Sequence, residues 1–270
     1  MTHIPSTHPR APRRQATTLP LAAAAAWLAL MATPTSLWAQ QPEPHAQEPA
    51  WGLGLAVSTD RKPYRSFDHK VRPLPLVTYE NRWISIMGPG VDFKLPSAGP
   101  LDLRLRSRFG FEGYEAKDSP HLAGMAERKG SLWLGAAATW HTGVVDLSAE
   151  LLANASGHSK GHQLTLQAER RFQAGAFDIT PRLALQRQDR KTVDYYYGVE
   201  NHEARPGRAA YAGSAALNLQ AGVRVGYTLA PRQWMFVDLS TTRLGNAIKN
   251  SPLVDRSSQP AVTAGFLYRF

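Results

Sequence analysis

The chain has 270 residues, of which 43% are hydrophobic and 19% charged, and it contains no cysteine. This apolar content is too high for a disordered chain, and the lack of cysteine excludes disulfides, thiolate nucleophiles and cysteine-ligated zinc. The formal net charge of +10 would suit nucleic acid. The export signal described next argues against that partner and favours lipopolysaccharide, peptidoglycan or anionic solutes.

The amino terminus has the features of a secretory signal peptide. Three arginines precede an apolar run from Leu19 to Met31, which is shorter than the ~20 residues that a membrane helix needs. The segment Thr35-Ser36-Leu37-Trp38-Ala39 follows, and we predict cleavage after Ala39, although Leu37 departs from the small residue that is ideal before a cleavage site. Residues 1–39 are therefore predicted to be the signal peptide, and residues 40–49 a flexible periplasmic tail.

From Trp51 onward the apolar residues recur with a period of two. Between Leu101 and Phe111 the apolar side chains share one face and the arginines share the other. An amphipathic helix cannot give this pattern, because its apolar positions recur at three and four. The run from Leu217 to Leu229 is long for a soluble strand and suits a tilted membrane strand. Similar alternation occurs at 132–140, 145–151, 164–172, 177–185, 235–239 and 262–270.

The connections between these runs alternate in length. Short turns on one side of a sheet and long polar loops on the other are typical of outer-membrane barrels, in which the short turns are periplasmic. Tight turns are predicted at 142–143, 174–175 and 230–233, and longer loops at 113–129, 154–160, 190–212 and 245–258.

The predicted fold is all-β, a transmembrane antiparallel up-and-down β-barrel over residues 50–270, in the outer membrane of a Gram-negative bacterium. Twelve strands are favoured and ten are the alternative, because single-chain bacterial barrels have an even number and residues 72–95 are ambiguous. Pro73 and Pro75 weaken a strand there. A turn at 87–90 would split 83–95 into two short strands.

Aromatic residues near the strand ends indicate interfacial anchoring. The alternative is the core of a soluble β-sandwich, which the leader and the strand lengths argue against. The aromatic residues are Trp51, Trp83, Trp133, Trp140, Phe172, Phe177, Trp234 and Phe270.

In lipid, every backbone polar group must pair internally, so the sheet must close and its polar face must line the lumen. Charges of both signs then lie inside. They predict either a plugged lumen of mutually paired charges or a narrow polar pore with a basic bias. The inward candidates are Arg104, Arg106, Arg108, Arg182 and Arg224, together with Asp102, Asp146, Glu150, Glu169 and Asp178.

Several motifs are specific in their order and spacing. They are Tyr195-Tyr196-Tyr197-Gly198-Val199, Glu203-Ala204-Arg205, Tyr211, Thr242-Arg243-Leu244-Gly245, Asn250-Ser251-Pro252-Leu253-Val254-Asp255 and Gly265-Phe266-Leu267-Tyr268-Arg269-Phe270, with Tyr64, Pro73, Pro75 and Tyr79-Glu80 earlier. From Trp51 to Phe270 this set resembles the MipA/OmpV family of MltA-interacting outer-membrane proteins. Asn250 departs from the family pattern, in which Asp is expected.

The resemblance implies a non-enzymatic scaffold that links a lytic transglycosylase to a penicillin-binding protein in cell-wall growth. Other members of the family are described as adhesins or small-solute channels. A narrow channel for small polar or anionic solutes is therefore the alternative function, and an adhesin or an enzyme at the barrel rim comes after it.

No catalytic, cofactor or metal site is predicted. His158 and His162 flank Ser159, but on a strand or loop this spacing fixes no metal geometry, and solvated loop histidines are the simpler interpretation; His121 and His141 also lie near strand ends or in loops. Carboxylates at Asp189, Asp194 and Glu200 could suggest Ca²⁺, but they lack the EF-hand spacing.

Two groups of residues are the remaining candidates for contacts. Tyr195, Tyr196, Tyr197 and Asp255 are predicted to pack over the lumen or to meet a partner, and an interfacial aromatic belt is the alternative for the tyrosines. Phe266, Tyr268 and Phe270 alternate on the last strand and resemble the signal that the barrel-assembly machinery reads.

Overall fold

The computed structural model describes residues 50–67, 70–97 and 99–270. The predicted signal peptide and tail lie outside these residues. The strands are β1 (Ala50–Asp60), β2 (Lys70–Glu80), β3 (Ile84–Met87), β4 (Gly90–Leu95), β5 (Leu101–Gly110), β6 (Ser131–His141), β7 (Asp146–Asn154), β8 (His162–Glu169), β9 (Phe172–Ala174), β10 (Phe177–Gln188), β11 (Ala216–Ala230), β12 (Gln233–Arg243) and β13 (Ser258–Arg269).

These segments form one closed antiparallel β-barrel. Each strand pairs with its neighbours in chain order, and β13 pairs back onto β1 from Arg269 opposite Gly52 to Ala261 opposite Asp60. Both β8 and β9 pair with β10, so they are two parts of one strand that is interrupted at residues 170–171. The barrel thus has twelve strands, as predicted, and the β3–β4 hairpin supplies the pair that was ambiguous.

The period-two pattern separates the two faces of the wall. Apolar residues such as Leu217 and Leu219 are 58% and 40% exposed, whereas Asn218 between them is 2% exposed. In an outer-membrane barrel this apolar belt faces lipid. Two of the predicted interfacial aromatics lie elsewhere: Trp133 is fully buried, and the indole N–H of Trp234 donates to Asp178.

β2 runs unbroken through Pro73 and Pro75, and its neighbour explains why it can. β3 pairs only with Thr78–Glu80, so among the described strands residues 70–77 have no partner on that side. Gly88 N–H donates to Val77 O from the β3 side. Since alternate residues of a strand direct their backbone N–H and C=O groups to the same side, the odd-numbered residues of β2 direct theirs to this partly unpaired side. Prolines at those positions leave no N–H unpaired. The Arg72 guanidinium lies over the Phe111 ring, 5.7 Å from its centroid. This cation–π contact connects the unpaired edge of β2 to the segment that follows β5.

The two ends of the barrel differ. Turns of a few residues connect strands at one end, and in outer-membrane barrels this end is periplasmic. The long loops at the other end contain the helices α1 (Arg190–Tyr197) and α2 (Asn246–Lys249). No helix in the described part of the chain is long and apolar enough to cross a membrane.

Candidate functional site

A network of charges joins three strands on the inner face. Arg106 donates to both carboxylate oxygens of Asp92, at 2.8 and 2.6 Å, and to Glu150 at 2.7 Å. Glu150 lies on β7, so the guanidinium must cross β6. It can do so because Gly135 stands opposite Arg106 and Ala137 stands opposite Glu150. The small residues of β6 therefore make room for an ion pair across the strand.

The same arrangement recurs on the other wall. Arg182 of β10 donates two bonds to Asp238 of β12, at 2.9 and 2.7 Å, across Gly222 of β11. A Cβ at Gly222 would lie 2.9 Å from the Arg182 guanidinium, so the lack of a side chain there leaves room for this crossing. Arg224 completes the cluster with a bond of 3.0 Å to Asp238.

The remaining predicted lumen arginines are also paired. Arg104 lies 3.5 Å from Asp92 and 3.4 Å from Asp102, and Arg108 lies 3.4 Å from Glu150. Each of the five arginines therefore has a carboxylate within ion-pair distance. Such side chains brace the inner wall, since bidentate guanidinium–carboxylate bonds fix geometry as well as charge.

The long loops pack into a second structure, which we call the cap. Its core consists of residues that the loops bury against one another, and the ring of Tyr64 lies 4.8 Å from that of Tyr114 and 5.6 Å from that of Tyr197. The Tyr64 hydroxyl donates to Tyr196 O at 3.1 Å. The buried core residues are Tyr64, Phe67, Tyr114, Leu122, Met125, Val193, Val199, Ala216, Leu244, Ile248, Leu253 and Val254.

Buried polar groups hold the cap together. Arg128 and Glu203 pair at 3.0 Å with side chains 8% and 1% exposed, and Arg128 also donates to Tyr195 O. Burial opposes the charge of Glu203, but backbone N–H groups of Ala126 and Glu200 and the charge of Arg128 hold its pKa below the ordinary value. The guanidinium of Arg208 is satisfied by backbone carbonyls alone.

Lys62 lies beneath the cap and is 6% exposed. Its ammonium donates to the carbonyl oxygens of Phe111, at 3.1 Å, and Gly113. Burial, followed by the positive charge of Lys70, lowers the pKa of Lys62 to about 8. Sequence reasoning missed Lys62, Arg128 and Arg208, because a charged residue in a polar loop gives no signal that it will be buried.

The three tyrosines occupy the end of α1 rather than the end of a strand. Tyr196 packs with Trp133 and Leu152, and burial, above all other causes, raises the pKa of Tyr196 and of Tyr197. The carboxylates considered for calcium have local structural partners instead: Asp189 caps α1 through Thr192 N–H, and Asp194 accepts from Gly213 N–H.

The other contact candidates lie at opposite ends of the barrel. Asp255 is exposed in the long loop after β12, where its carboxylate meets Arg256 at 3.2 Å. Phe266, Tyr268 and Phe270 are 39%, 36% and 63% exposed on the lipid face of the last strand. Phe270 N–H donates to Trp51 O, which ties the last residue of the chain to the first strand.

The histidines do not assemble into a common site. No group of three or more potential metal ligands occurs in the described ranges. Each ring is engaged by different partners: His121 by Pro252 O at 3.1 Å, His141 by Asp146 and Asp102 at 2.8 and 3.3 Å, His158 by Gly130 O at 3.0 Å, and His162 by Asp189 at 3.7 Å.

At the short-turn end the lumen contains a cavity of about 720 Å³, which we call the vestibule. Trp234 lies in it, with its indole N–H 3.0 Å from Asp178, and Arg171 is 3.7 Å from the same carboxylate. Cationic side chains outnumber anionic ones in its wall. The charged lining residues are Arg171, Arg182, Arg224, Arg232 and Arg269 with Asp146, Glu169 and Asp178.

Comparison with known sequences gives consistent matches. A family model described as MltA-interacting protein MipA matches residues 52–270. The MltA-interacting protein of Escherichia coli (strain K12) is 25% identical over 228 residues, which cover 83% of this chain and 91% of that protein. Outer membrane protein OmpV of Vibrio cholerae is 28% identical over 158 residues, covering 58% and 61%.

The solved structures that align with this chain include two porins. The NanC porin aligns with a TM-score of 0.43 and 9% identity, covering 80% of this chain and 98% of that one. An anion-selective porin from Comamonas acidovorans aligns with a TM-score of 0.40 and 9% identity, covering 82% and 98%.

Proposed function

The chain belongs to the MipA family of MltA-interacting proteins, and from this membership we propose that it is a non-enzymatic outer-membrane scaffold that docks cell-wall enzymes at its periplasmic end. The observation that carries this proposal is that the arginines of the inner wall are paired with carboxylates and that the long loops pack into a cap. Two arginine–carboxylate networks brace the inner wall, and the cap packs a hydrophobic core at the outer end. A barrel with this structure suits the docking of proteins better than the transport of solutes.

The vestibule is the part of the scaffold that a periplasmic partner would reach. Its exposed guanidinium groups, on Arg171, Arg232 and Arg269, suit carboxylates, which arginine binds bidentately. The relative from Escherichia coli is named for its interaction with MltA. We propose a lytic transglycosylase of that kind as one partner of this chain, with a penicillin-binding protein as the second partner that the family resemblance implies.

Two further partners follow from the lipid-facing surface. The apolar belt contacts outer-membrane lipid, and lipopolysaccharide covers the outer half of such a belt. The alternating aromatics Phe266, Tyr268 and Phe270 would be read by the barrel-assembly machinery while the last strand is still free, before it pairs with β1.

A narrow channel for small polar or anionic solutes is the second candidate function. It is favoured by a second polar cavity of about 240 Å³ inside the barrel, which includes Arg106, Glu150 and Gln220 in its lining. If solute passes, it must pass between the two ion-pair networks. Neutralising Arg106 would then reduce any preference for anions.

Ion conductance of the refolded mature protein in a planar bilayer distinguishes the two functions, once gel heat-modifiability has shown a closed barrel. The scaffold predicts no discrete conductance steps, together with co-purification of murein enzymes from cross-linked cells. An Arg171→Gln/Arg232→Gln/Arg269→Gln variant should lose those enzymes, while Lys249→Gln in the cap should retain them. Steps with anion preference that decrease in Arg106→Gln would overturn the scaffold in favour of the channel.

A further inference from the structure

We propose that a cleft on the outer surface of the cap binds a saccharide. The cleft has a volume of about 980 Å³ and lies between α1, the segment 198–212 and the loop that carries His158 and Ser159. It is formed by the long loops, so it faces away from the periplasm. It is separate from the vestibule, and the scaffold function makes no use of it.

Two tyrosine rings in the cleft are held in place by their hydroxyl groups. The Tyr195 hydroxyl accepts from Lys129 N–H at 2.9 Å, and the Tyr211 hydroxyl donates to Ala247 O at 2.7 Å. Both side chains are half-buried. Both residues line the cleft, and because their hydroxyl groups already have partners, the rings are the part of each side chain that is left to contact a ligand. Rigid tyrosine rings offer contact area at a low cost in conformational entropy, and the C–H faces of sugar rings pack on such surfaces.

His158 adds a directional polar group beside these rings. Its ring is parallel to that of Tyr195, with 9° between the planes and 6.2 Å between the centroids. The Nδ1 atom lies 3.0 Å from Gly130 O, and since a carbonyl can only accept, Nδ1 carries the proton. In the neutral ring Nε2 is then a hydrogen-bond acceptor, which suits a sugar hydroxyl.

The rim of the cleft carries charges of both signs and an amide. Lys191, Glu200, Asn201 and His202 are exposed and line it, and Glu200 lies 3.4 Å from His202. A phosphate or a metal ion would call for a rim of one sign. Interspersed donors and acceptors around apolar ring faces instead match a ligand that has many hydroxyl groups on an apolar ring.

Two sources can supply this chemistry at the outer surface. One is the core or O-antigen oligosaccharide of lipopolysaccharide in the same membrane, and the other is a glycan that comes from outside the cell. The test therefore uses both. Full-length mature protein, refolded in detergent micelles free of lipopolysaccharide, is applied to an array of delipidated bacterial core and O-antigen oligosaccharides and of animal-cell glycans.

We expect specific binding to at least one saccharide, weakened roughly tenfold or more in Tyr195→Leu and in Tyr211→Leu, since each change removes an aromatic platform. Tyr211→Phe keeps the ring and loses only its anchoring hydrogen bond, so it should weaken binding less than Tyr211→Leu. Tyr227→Leu, on the barrel wall, is the matched control, and heat-modifiability checks every variant for a closed barrel. The class of saccharide that binds identifies the source. Absence of binding on the whole array, or binding that survives both leucine variants, would overturn the proposal.

Discussion

The outer end of this barrel, which carries the long loops, and the inner end, which carries the short turns, differ in how their residues pack. At the outer end, loops long enough to fold on themselves bury twelve residues in a core of their own. At the inner end, the turns contain only a few residues, such as 175–176 and 231–232, and cannot bury anything. That end stays open as a vestibule lined by arginines. Loop length thus decides which end of a barrel can be closed by ordinary hydrophobic packing.

The comparison also separates two kinds of charge. In the cap, Arg128 and Glu203 are almost completely buried, whereas the Arg171 side chain beside Asp178 is 60% exposed. A buried pair is costly to break, because the remaining charge loses its partner in a medium of low dielectric constant. An exposed pair contributes little and leaves its arginine available to a ligand. Substitutions should therefore have larger structural effects in the cap than in the vestibule.

The largest effect is expected for Tyr64→Ala. Removing this ring leaves a cavity between Tyr114, Phe67 and Tyr197 and should destabilise the cap by about 3–5 kcal/mol. The wall does not depend on this ring, so the barrel should remain closed. Limited proteolysis of the refolded protein should then cleave within residues 189–215 many times faster than in the wild type, with heat-modifiability unchanged.

Tyr227→Ala is the matched control for that experiment. Tyr227 packs against Phe177 on the wall, so its loss should leave the protease resistance of the cap loops unchanged. Equal cleavage rates in Tyr64→Ala and the wild type would show that the cap does not depend on its aromatic core. The two ends would then not differ in their dependence on hydrophobic packing.

A smaller loss is expected for Arg128→Met. This change leaves the Glu203 carboxylate buried without its cation and should cost about 3 kcal/mol, moderated by the N–H groups of Ala126 and Glu200 that still bind it. The urea midpoint of the cap transition in detergent micelles measures the loss. The double variant with Glu203→Gln should recover part of it, and a double variant as unstable as the single one would contradict the pairing argument.

The wall could be predicted from the sequence because each part of its pattern has one physical cause. Alternation in Leu217–Leu229 follows from a sheet with lipid on one side and polar groups on the other. The sequence also contains Gly135 and Gly222, but it does not indicate that they make room for ion pairs. That role depends on the register, which places them opposite Arg106 and Arg182. No single segment of the sequence determines which residues stand opposite one another across three strands.

The cap and the β2 edge could not be predicted in this way. Pro73 and Pro75 weaken the prediction of a strand, although the structure tolerates both because β3 ends before it reaches them. The sequence predicts only that 113–129 and 245–258 are long polar loops, whereas Leu122 and Ile248 from these loops are buried together with Tyr64 from the β1–β2 connection. Contacts between distant loops have no periodicity, so no sequence pattern indicates which loop residues will meet.

Lys62 allows a pH-dependent test of the outer end. Its pKa is about 8 in the folded protein and 10.5 when unperturbed, so between these values the unfolded chain binds more protons. Stability should therefore rise with pH in that window, by about 1.5 kcal/mol from pH 8 to 9.5. The urea midpoint should show this rise in the wild type and not in Lys62→Met. Identical pH profiles in the two proteins would contradict the burial argument.

The smallest effect tests the inner end with Trp234→Phe. The variant removes the indole N–H that binds Asp178 but keeps an aromatic ring, which can still stack on Phe236 as Trp234 does at 4.9 Å. Since Asp178 is 8% exposed and keeps Arg171 nearby, the cost should be about 1–1.5 kcal/mol. The urea midpoint of the whole barrel measures it, and loop proteolysis should not change. Faster cleavage of the cap loops would mean that the two ends are coupled, because a bond lost in the vestibule would then affect packing at the outer end.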